Sequence, residues 1–283
     1  MNYQVGLVGV GKMGSALLVQ LMATGAKVRA FDIKESAMQT AREGGAETVA
    51  SSAEAARGAA IIHVFVHNDQ EIFDATLGDK GVLAGADKGA TVILHSTILP
   101  ATTRRVAEAA APKGIRVIDA SVTSTPRYVR AGEAVFLVGG GDDVVAEIRP
   151  HLETIGRKVW HFGPLGCGNA AKLAKNLSNV MERVMWMETL TLAKAAGIDP
   201  KQYAEMLKSV MRGSAISDWE KIIAIEDGKI TPTRGDGNIF RKDVPHALTL
   251  ARELGLKLPL AEGTGAAAIR FIAEHKKPAE AAE

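Results

Sequence analysis

The sequence predicts an α/β fold: a doubly wound sheet in the first half of the chain and an all-α second half. Three observations predict it. Short apolar runs alternate with helix-compatible segments as far as about residue 162. Beyond Leu177 strand-like alternation ceases. Between the two halves, the turn Phe162-Gly163-Pro164 leads into the longest helix-compatible run of the chain, about Gly168 to Ala196. The expected division is residues 1–164 and 165–283.

The first strand is the apolar run Gln4–Val8. Gly9-Val10-Gly11-Lys12-Met13-Gly14 follows it, then an apolar helix from about Ser15 to Thr24 and a second strand, Val28–Phe31, ending at Asp32. Strand, G-x-G-x-x-G, helix, strand and acid form the dinucleotide-binding fingerprint in its proper setting. Gly9 permits the tight turn, Gly11 lets backbone approach a pyrophosphate, and Gly14 lets helix and strand pack closely. Free N–H groups at the helix start face the phosphates. The loop Gly9, Val10, Gly11, Lys12, Met13 and Gly14 is therefore the expected cofactor cradle of a Rossmann domain. A carboxylate at Asp32 accepts from an adenosine ribose and repels a 2′-phosphate, so NAD is expected over NADP. Arg29 and Lys34 lie close in sequence and leave NADP possible.

Further strands are expected at Ala59–Val66, Thr91–His95, Val117–Asp119, Ala134–Val138 and Val159–Phe162. Helices are expected between them, at Ser36–Glu43, Ser52–Arg57, Thr103–Ala111 and Asp143–Ile155. In such a sheet the ligand sits at the carboxyl ends of the strands. These ends carry Val66-His67-Asn68, Ser96-Thr97 and Ser121–Thr125. His63 and His67 invite a metal reading, but on a strand four residues span about 13 Å, too far to chelate one ion. Nothing else has metal-ligand spacing, and no metal is expected.

In the second half, helices are expected at Gly168–Ala196, Pro200–Lys208, Ser214–Ile225, Asp243–Leu254 and Leu260–Glu274, with a Gly/Pro-rich loop at Asp227–Asn238. Val184, Met185, Trp186, Met187, Leu190 and Leu192 exceed a single apolar stripe. That suits either the core of the second domain or a subunit interface. Near its start this long helix carries Lys172 and Asn176, four residues apart and so on one face. An amine and an amide held side by side can share one substrate hydroxyl. A solvated lysine on an amphipathic helix is the alternative. Lys175 lies about 300° round the helix from Lys172 and need not share its environment.

Composition bounds the rest. The 283 residues are 47% hydrophobic and 23% charged, with a formal net charge of +2. Mixed signs throughout argue against a nucleic-acid partner. No run approaches the ~20 apolar residues of a membrane span. The first residues run directly into a strand, so no signal peptide is expected. The single cysteine, Cys167, fits a reducing cytoplasm; between two glycines it reads as a small residue rather than a nucleophile.

Four blocks together resemble the β-hydroxyacid dehydrogenase family. They are Gly9-x-Gly11-x-Met13-Gly14, His95-Ser96-Thr97-Ile98-Leu99-Pro100, Asp119-Ala120-Ser121-Val122-Thr123-Ser124-Thr125, and Gly166-x-Gly168-x-x-x-Lys172-x-x-x-Asn176. Lys242-Asp243 is similar to a Lys-Asp pair on the family's cofactor side. The resemblance implies Lys172 as catalytic acid/base and Asn176 as its substrate-holding partner. It implies Thr123, Ser124 and Thr125 at the substrate, and Val66, Thr97 and Lys242 toward the cofactor. It also implies a homodimer or homotetramer through the C-terminal helices. Ser124-Thr125 stand where the family has Gly-Gly, and Arg127 and Arg130 follow, which points to an altered substrate. The implied reaction is reversible NAD-dependent oxidation of the β-hydroxyl of a small 3-hydroxy acid. A lysine base requires a pKa below its ordinary ~10.4. An imine reductase of the same fold and a non-catalytic dinucleotide-binding assembly module are the rival readings.

Overall fold

The computed structural model describes residues 4–195, 197–210, 223–226, 229–232, 239–253 and 259–274. The first half runs β1 (Gln4–Val8), α1 (Lys12–Ala23), β2 (Lys27–Phe31), α2 (Glu35–Glu43), β3 (Glu47–Thr48), α3 (Ser52–Ala56), β4 (Ile61–Val64), α4 (Asp69–Thr76) and α5 (Val82–Gly85). It continues through β5 (Thr91–Leu94), α6 (Pro100–Ala110), β6 (Arg116–Val122), α7 (Pro126–Arg130), β7 (Val135–Gly139), α8 (Asp142–Thr154) and β8 (Lys158–His161). The eight strands form one sheet in the order β3-β2-β1-β4-β5-β6-β7-β8. The first six are mutually parallel, β7 pairs antiparallel with β6, and β8 is parallel to β7. The order reverses between β1 and β4, and a doubly wound sheet opens its ligand crevice at the carboxyl ends flanking that reversal.

Alternation along each strand sends side chains into two apolar layers. One layer joins Val5, Leu7, Ile93, Ile118, Ala120 and Phe136 to α1 and α8. The other joins Ile62, Val64, Val92 and Leu94 to α3, α4, α5 and α6. Burying one such large side chain stabilises the fold by about 1.5–3 kcal/mol before entropy is counted. The expected strands and long helices are present with ends shifted by a few residues. The short elements β3, α4 and α5 were not expected. α4 and α5 are held by packing, with Ile72, Ala75, Val82 and Leu83 buried, and β3 by its pairing with β2, rather than by a long periodic pattern. The segment after Thr125 is the short helix α7, which Pro126 opens and whose Val129 is buried.

The chain divides into two compact units, residues 1–172 and 173–283. α9 (Cys167–Ala195) begins in the first and continues into the second. The second unit adds α10 (Pro200–Val210), β9 (Ile223–Glu226), β10 (Lys229–Pro232), a π-helical turn at Ile239–Asp243, α11 (Val244–Glu253) and α12 (Pro259–Glu274). Trp186, Met187 and Leu190 of α9 pack with Ala204, Leu207 and Ile225, and Val180 and Val184 with Val244. Met185 is exposed, and the side chain of Leu192 lies outside the described residues.

This half is helical, with one departure. β9 and β10 pair as an antiparallel ribbon where the sequence suggested the end of a helix, Ser214–Ile225, and a loop, Asp227–Asn238. Ile223 to Glu226 alternates as a strand does, a four-residue signal too short to compete with the helical reading around it. The remaining residues of those two expected segments, 214–222, 227–228 and 233–238, lie outside the described residues. No helix among the described residues is long and apolar enough to cross a membrane.

Candidate active site

The glycine loop is built by three different constraints. Gly9 has φ +88°, and a β-carbon there would overlap the Phe65 carbonyl oxygen at the end of β4. A β-carbon at Gly14 would overlap the Gly9 carbonyl oxygen, so Gly14 closes the turn onto its own loop. At Gly11 a β-carbon would meet nothing within 4 Å. The open side of the loop is therefore at Gly11, which also caps α1 without any side-chain hydrogen bond. No acidic residue occupies the first turn of α1, and a helix N-terminus favours an anion. Lys12 is exposed and Met13 is half-buried against the core. The Val10 N–H donates to Asp32 Oδ2 at 2.8 Å, and the Lys34 N–H donates to Oδ1 at 2.9 Å. Asp32 thus braces the loop, and each oxygen keeps a lone pair for a ribose hydroxyl. These residues fit a dinucleotide: Gly11 and the start of α1 would hold its pyrophosphate and Asp32 its adenosine ribose.

The neighbouring strand ends are stapled together. Ser96 Oγ donates to the Val66 carbonyl at 2.6 Å and accepts from the Val66 N–H at 3.1 Å, fixing β4 against β5. Val66 and Thr97 are half-buried. Thr123 continues the β6–β7 pairing, its N–H donating to the Val135 carbonyl. Ser124 turns its hydroxyl into the β6–β7 connection. Its Oγ donates to the Glu133 carbonyl and accepts from the Val135 N–H, so it clips the β6–β7 turn. Thr125 is the cap residue of α7, and Arg127 and Arg130 on that helix are exposed.

The start of α9 is pinned by side chains from two elements, β6 and α6. Asp119 of β6 is fully buried; Oδ1 accepts from the Gly166 N–H at 2.7 Å and Oδ2 from the Asn169 N–H at 2.6 Å. Buried Asn169 accepts from Thr103 Oγ1 of α6 at 2.6 Å and donates to Ser121 Oγ of β6 at 3.2 Å. Burial pushes the Asp119 carboxyl up to about 6, against the pull of the N–H groups around it. Lys172, half-buried, follows one turn later.

Farther along α9, Asn176 is buried, and its Nδ2 donates to Asp243 Oδ2 at 2.6 Å. Lys242 Nζ lies 3.8 Å from Asp243 Oδ1. Asp243 is a residue whose role sequence reasoning understated: it orients the Asn176 amide. Lys175 is exposed; desolvation, then the repulsion of Arg183, lower its pKa, and Asp243 opposes them.

A second buried network was invisible in the sequence. His63 of β4 lies between His95, just after β5, and His151 of α8, at 2.8 and 2.9 Å. His95 Nδ1 lies 2.7 Å from the Ala120 carbonyl. A carbonyl only accepts, so His95 carries its proton on Nδ1 and leaves Nε2 bare. The neutral chain is then fixed throughout: His63 donates from Nδ1 to His95, and His151 donates from Nε2 to His63. Desolvation holds all three well below the usual histidine range, with His95 and His151 at about 4. The partners of His63 come from other elements, and His67, the residue first weighed beside it, instead donates its N–H to Glu71. Among the described residues no cluster of three or more His, Cys, Asp or Glu side chains is arranged to hold a metal ion.

Two family models match the chain. Residues 4–163 match the NAD-binding domain of 6-phosphogluconate dehydrogenase, and residues 166–282 match the NAD-binding domain of NADP-dependent 3-hydroxyisobutyrate dehydrogenase. A 3-hydroxyisobutyrate dehydrogenase of Pseudomonas aeruginosa is 34% identical over 210 residues, 74% of this chain and 70% of that one. A 2-(hydroxymethyl)glutarate dehydrogenase of Eubacterium barkeri is 29% identical over 92% of this chain and 86% of its own length. The solved structure of a Mycobacterium tuberculosis 3-hydroxyisobutyrate dehydrogenase with L-serine superposes with a TM-score of 0.84 at 22% identity, covering 97% of this chain and 95% of that one.

Proposed function

The chain belongs to the β-hydroxyacid dehydrogenase family and is an NAD(P)-dependent oxidoreductase, and from that premise we propose how its residues divide the work. The reaction is reversible oxidation of the β-hydroxyl of a small 3-hydroxy acid to the aldehyde or ketone. Residues 1–164 are the dinucleotide-binding domain; residues 165–283 are the substrate and oligomerisation domain and carry the contacts of a homodimer or homotetramer. The protein works in the cytoplasm.

The observation that supports this reading best is the Asn176–Asp243 hydrogen bond. It spends an amide N–H of Asn176 on a fixed acceptor and leaves Oδ1 as the atom able to take a substrate hydroxyl. Lys172, four residues earlier on the same helix face, then takes the hydroxyl proton on Nζ and returns it in the reverse direction. The bound nicotinamide supplies the hydride acceptor. Val66, Thr97 and Lys242 flank the cofactor, and Thr123, with the backbone of Ser124 and Thr125, meets the substrate carboxylate. Asp32 favours NAD, because a 2′-phosphate would meet its charge.

Lys172→Ala and Lys172→Met test the assignment. Removing a general acid/base costs about 10²–10⁴ in turnover. Each variant should lose at least a hundredfold in kcat on a panel of branched, aromatic and sugar-derived 3-hydroxy acids, with NAD affinity within twofold of wild type. Turnover undiminished in both refutes the role. Reduction of cyclic imines with no hydroxy acid oxidised returns the imine reductase reading.

A further inference from the structure

The network around Asp119 has a consequence for the chemistry on α9. Asp119 sits in a cage built for a carboxylate. In the antiparallel register it faces Gly139, where a β-carbon would come within 2.6 Å of its Oδ1. At Gly168 a β-carbon would stand 2.7 Å from its Oδ2 and overlap the Leu137 carbonyl. The glycines of β7 and of the first turn of α9 therefore leave room for this one side chain. Inside the cage the ligands of the carboxylate are backbone N–H groups: those of Gly166 and Asn169, with Gly168 and its own contributing. They belong to the turn that opens the helix, where a negative charge is favoured.

We propose that Asp119 is the positioning residue of the catalytic helix: its ionised carboxylate locks the first turn of α9 and thereby sets the direction of Lys172. This rests on the assignment of Lys172 as acid/base, but the lock itself is testable without it. Two oxygens accept two N–H groups from residues three apart, which fixes both the rise and the rotation of that turn. Lys172 lies three residues beyond Asn169, less than one helical turn from the locked residue, so its direction follows the rotation of that turn. Asn169 extends the lock to α6 through Thr103 and back to β6 through Ser121. A protonated acid donates from one oxygen, so it cannot accept from both N–H groups in the same geometry. The lock holds when Asp119 is ionised and slackens when it takes a proton.

Several other groups stand near the network. Arg104 of α6 has Nη1 3.1 Å from where a β-carbon of Gly166 would be. Cys167 neighbours Gly166 and Gly168 in the helix start. His161 of β8 has Nε2 against the Gly140 and Gly163 carbonyls, and its Nδ1 lies 3.6 Å from Asp142. His95, on the β5 side, reaches the Ala120 carbonyl next to Asp119. The ligands of the carboxylate are N–H groups rather than a cation, so its charge state answers to pH and not to a fixed partner.

The experiment has two arms. The first uses the wild-type protein and no activity: amide proton shifts of Gly166 and Asn169 and the Asp119 carboxyl carbon are followed by NMR from pH 7.5 to 5. All three should titrate together with a midpoint near 6. Independent or flat curves overturn the proposal. The second is Asp119→Asn, checked for fold by circular dichroism. It should lower kcat at least tenfold at pH 8 with KM for NAD within twofold. It should also abolish the fall in kcat expected of the wild type below pH 6. A variant with wild-type kcat, or one that keeps that acid limb, overturns it. If instead Lys172→Ala keeps turnover while the three signals titrate together, the assignment of Lys172 fails and the lock stands.

Discussion

Acidification from pH 6.5 to pH 4 acts on four buried groups of the first unit, and not all with the same sign. In the unfolded chain His63, His95 and His151 each take up a proton near the ordinary value of 6.5. In the folded protein His95 and His151 stay neutral down to about 4, and His63 is lowered well below its ordinary value. Their folded values are depressed, so the unfolded state binds more protons throughout this window. The stability they lend is complete above about 6.5 and drains as pH falls. Three protons of difference amount to about 4 kcal/mol per pH unit, at about 1.4 kcal/mol per proton. Asp119 works the other way. Its folded value of about 6 lies above its unfolded 3.8, so the native state takes that proton first, returning about 1.4 kcal/mol per unit below pH 6. The histidines win, and these groups together cost the fold about 3 kcal/mol per unit near pH 5. A stability of about 5 kcal/mol, at the low end of the usual range, would be exhausted about two units below 6.5. The assay is potentiometric proton uptake on unfolding in urea at pH 5, compared with His151→Gln. Glutamine keeps an N–H for His63 but does not titrate. Uptake should fall by about one proton in the variant. Equal uptake in the two proteins would falsify the neutral-chain argument.

Further outcomes follow from the same geometry. Gly11→Ala enters open space at φ −64°, so its Tm should match or exceed wild type while the NAD dissociation constant, read by fluorescence, rises at least about tenfold. Gly14→Ala overlaps the Gly9 carbonyl and should lower stability by about 1–3 kcal/mol in urea titrations. Asp243→Ala strands the buried Asn176 amide; an unmet hydrogen bond worth about 1–3 kcal/mol predicts a fall in kcat/KM of about 10–100-fold. Ser124→Ala removes the clip on the β6–β7 turn and should cost about 1 kcal/mol of stability, leaving KM for the hydroxy acid within twofold.

What was legible in the sequence is what lies close along the chain. The glycine loop, Asp32 and the four-residue spacing of Lys172 and Asn176 on α9 each fall within some two dozen residues, so spacing alone fixes their local geometry. Less legible was what the Ser124 hydroxyl would bond. Its place in a family pattern suggested substrate, and a hydroxyl beside a turn finds the turn's own backbone first, here the carbonyl of Glu133 and the N–H of Val135. The histidine chain joins residues 32 and 88 positions apart, and no periodicity encodes which strands become neighbours. His63 and His95 meet because β4 and β5 pair with His63 opposite Ile93, a register that the two strand sequences do not specify in isolation. The hold of Asp119 on α9 spans 47 and 50 residues. Its one local signal was a charged residue inside an apolar strand, where a buried carboxylate requires partners from elsewhere.

Both buried networks end on consecutive residues of β6. The Ala120 carbonyl accepts the end of the histidine chain, while the Asp119 side chain grips the helix start. Alternation explains how one strand serves both. Ile118, Ala120 and Val122 belong to the layer shared with α1 and α8, and Asp119 and Ser121 meet Asn169, which α6 holds from its side. At neutral pH the histidines favour folding only as neutral rings, and Asp119 fixes α9 only as an anion, so above about 6.5 both conditions hold. Below that, stability and turnover decline together for unrelated reasons. Substitution separates them: Asp119→Asn should remove the acid limb of kcat and steepen acid unfolding, from about 3 to about 4 kcal/mol per pH unit, because the proton that Asp119 returned is gone. His151→Gln should roughly halve the pH slope of acid unfolding, from about 3 to about 1.4 kcal/mol per unit, and leave the acid limb of kcat where it was. If either variant shifts both limbs in parallel, one shared titration on β6 governs them and the two networks are a single device.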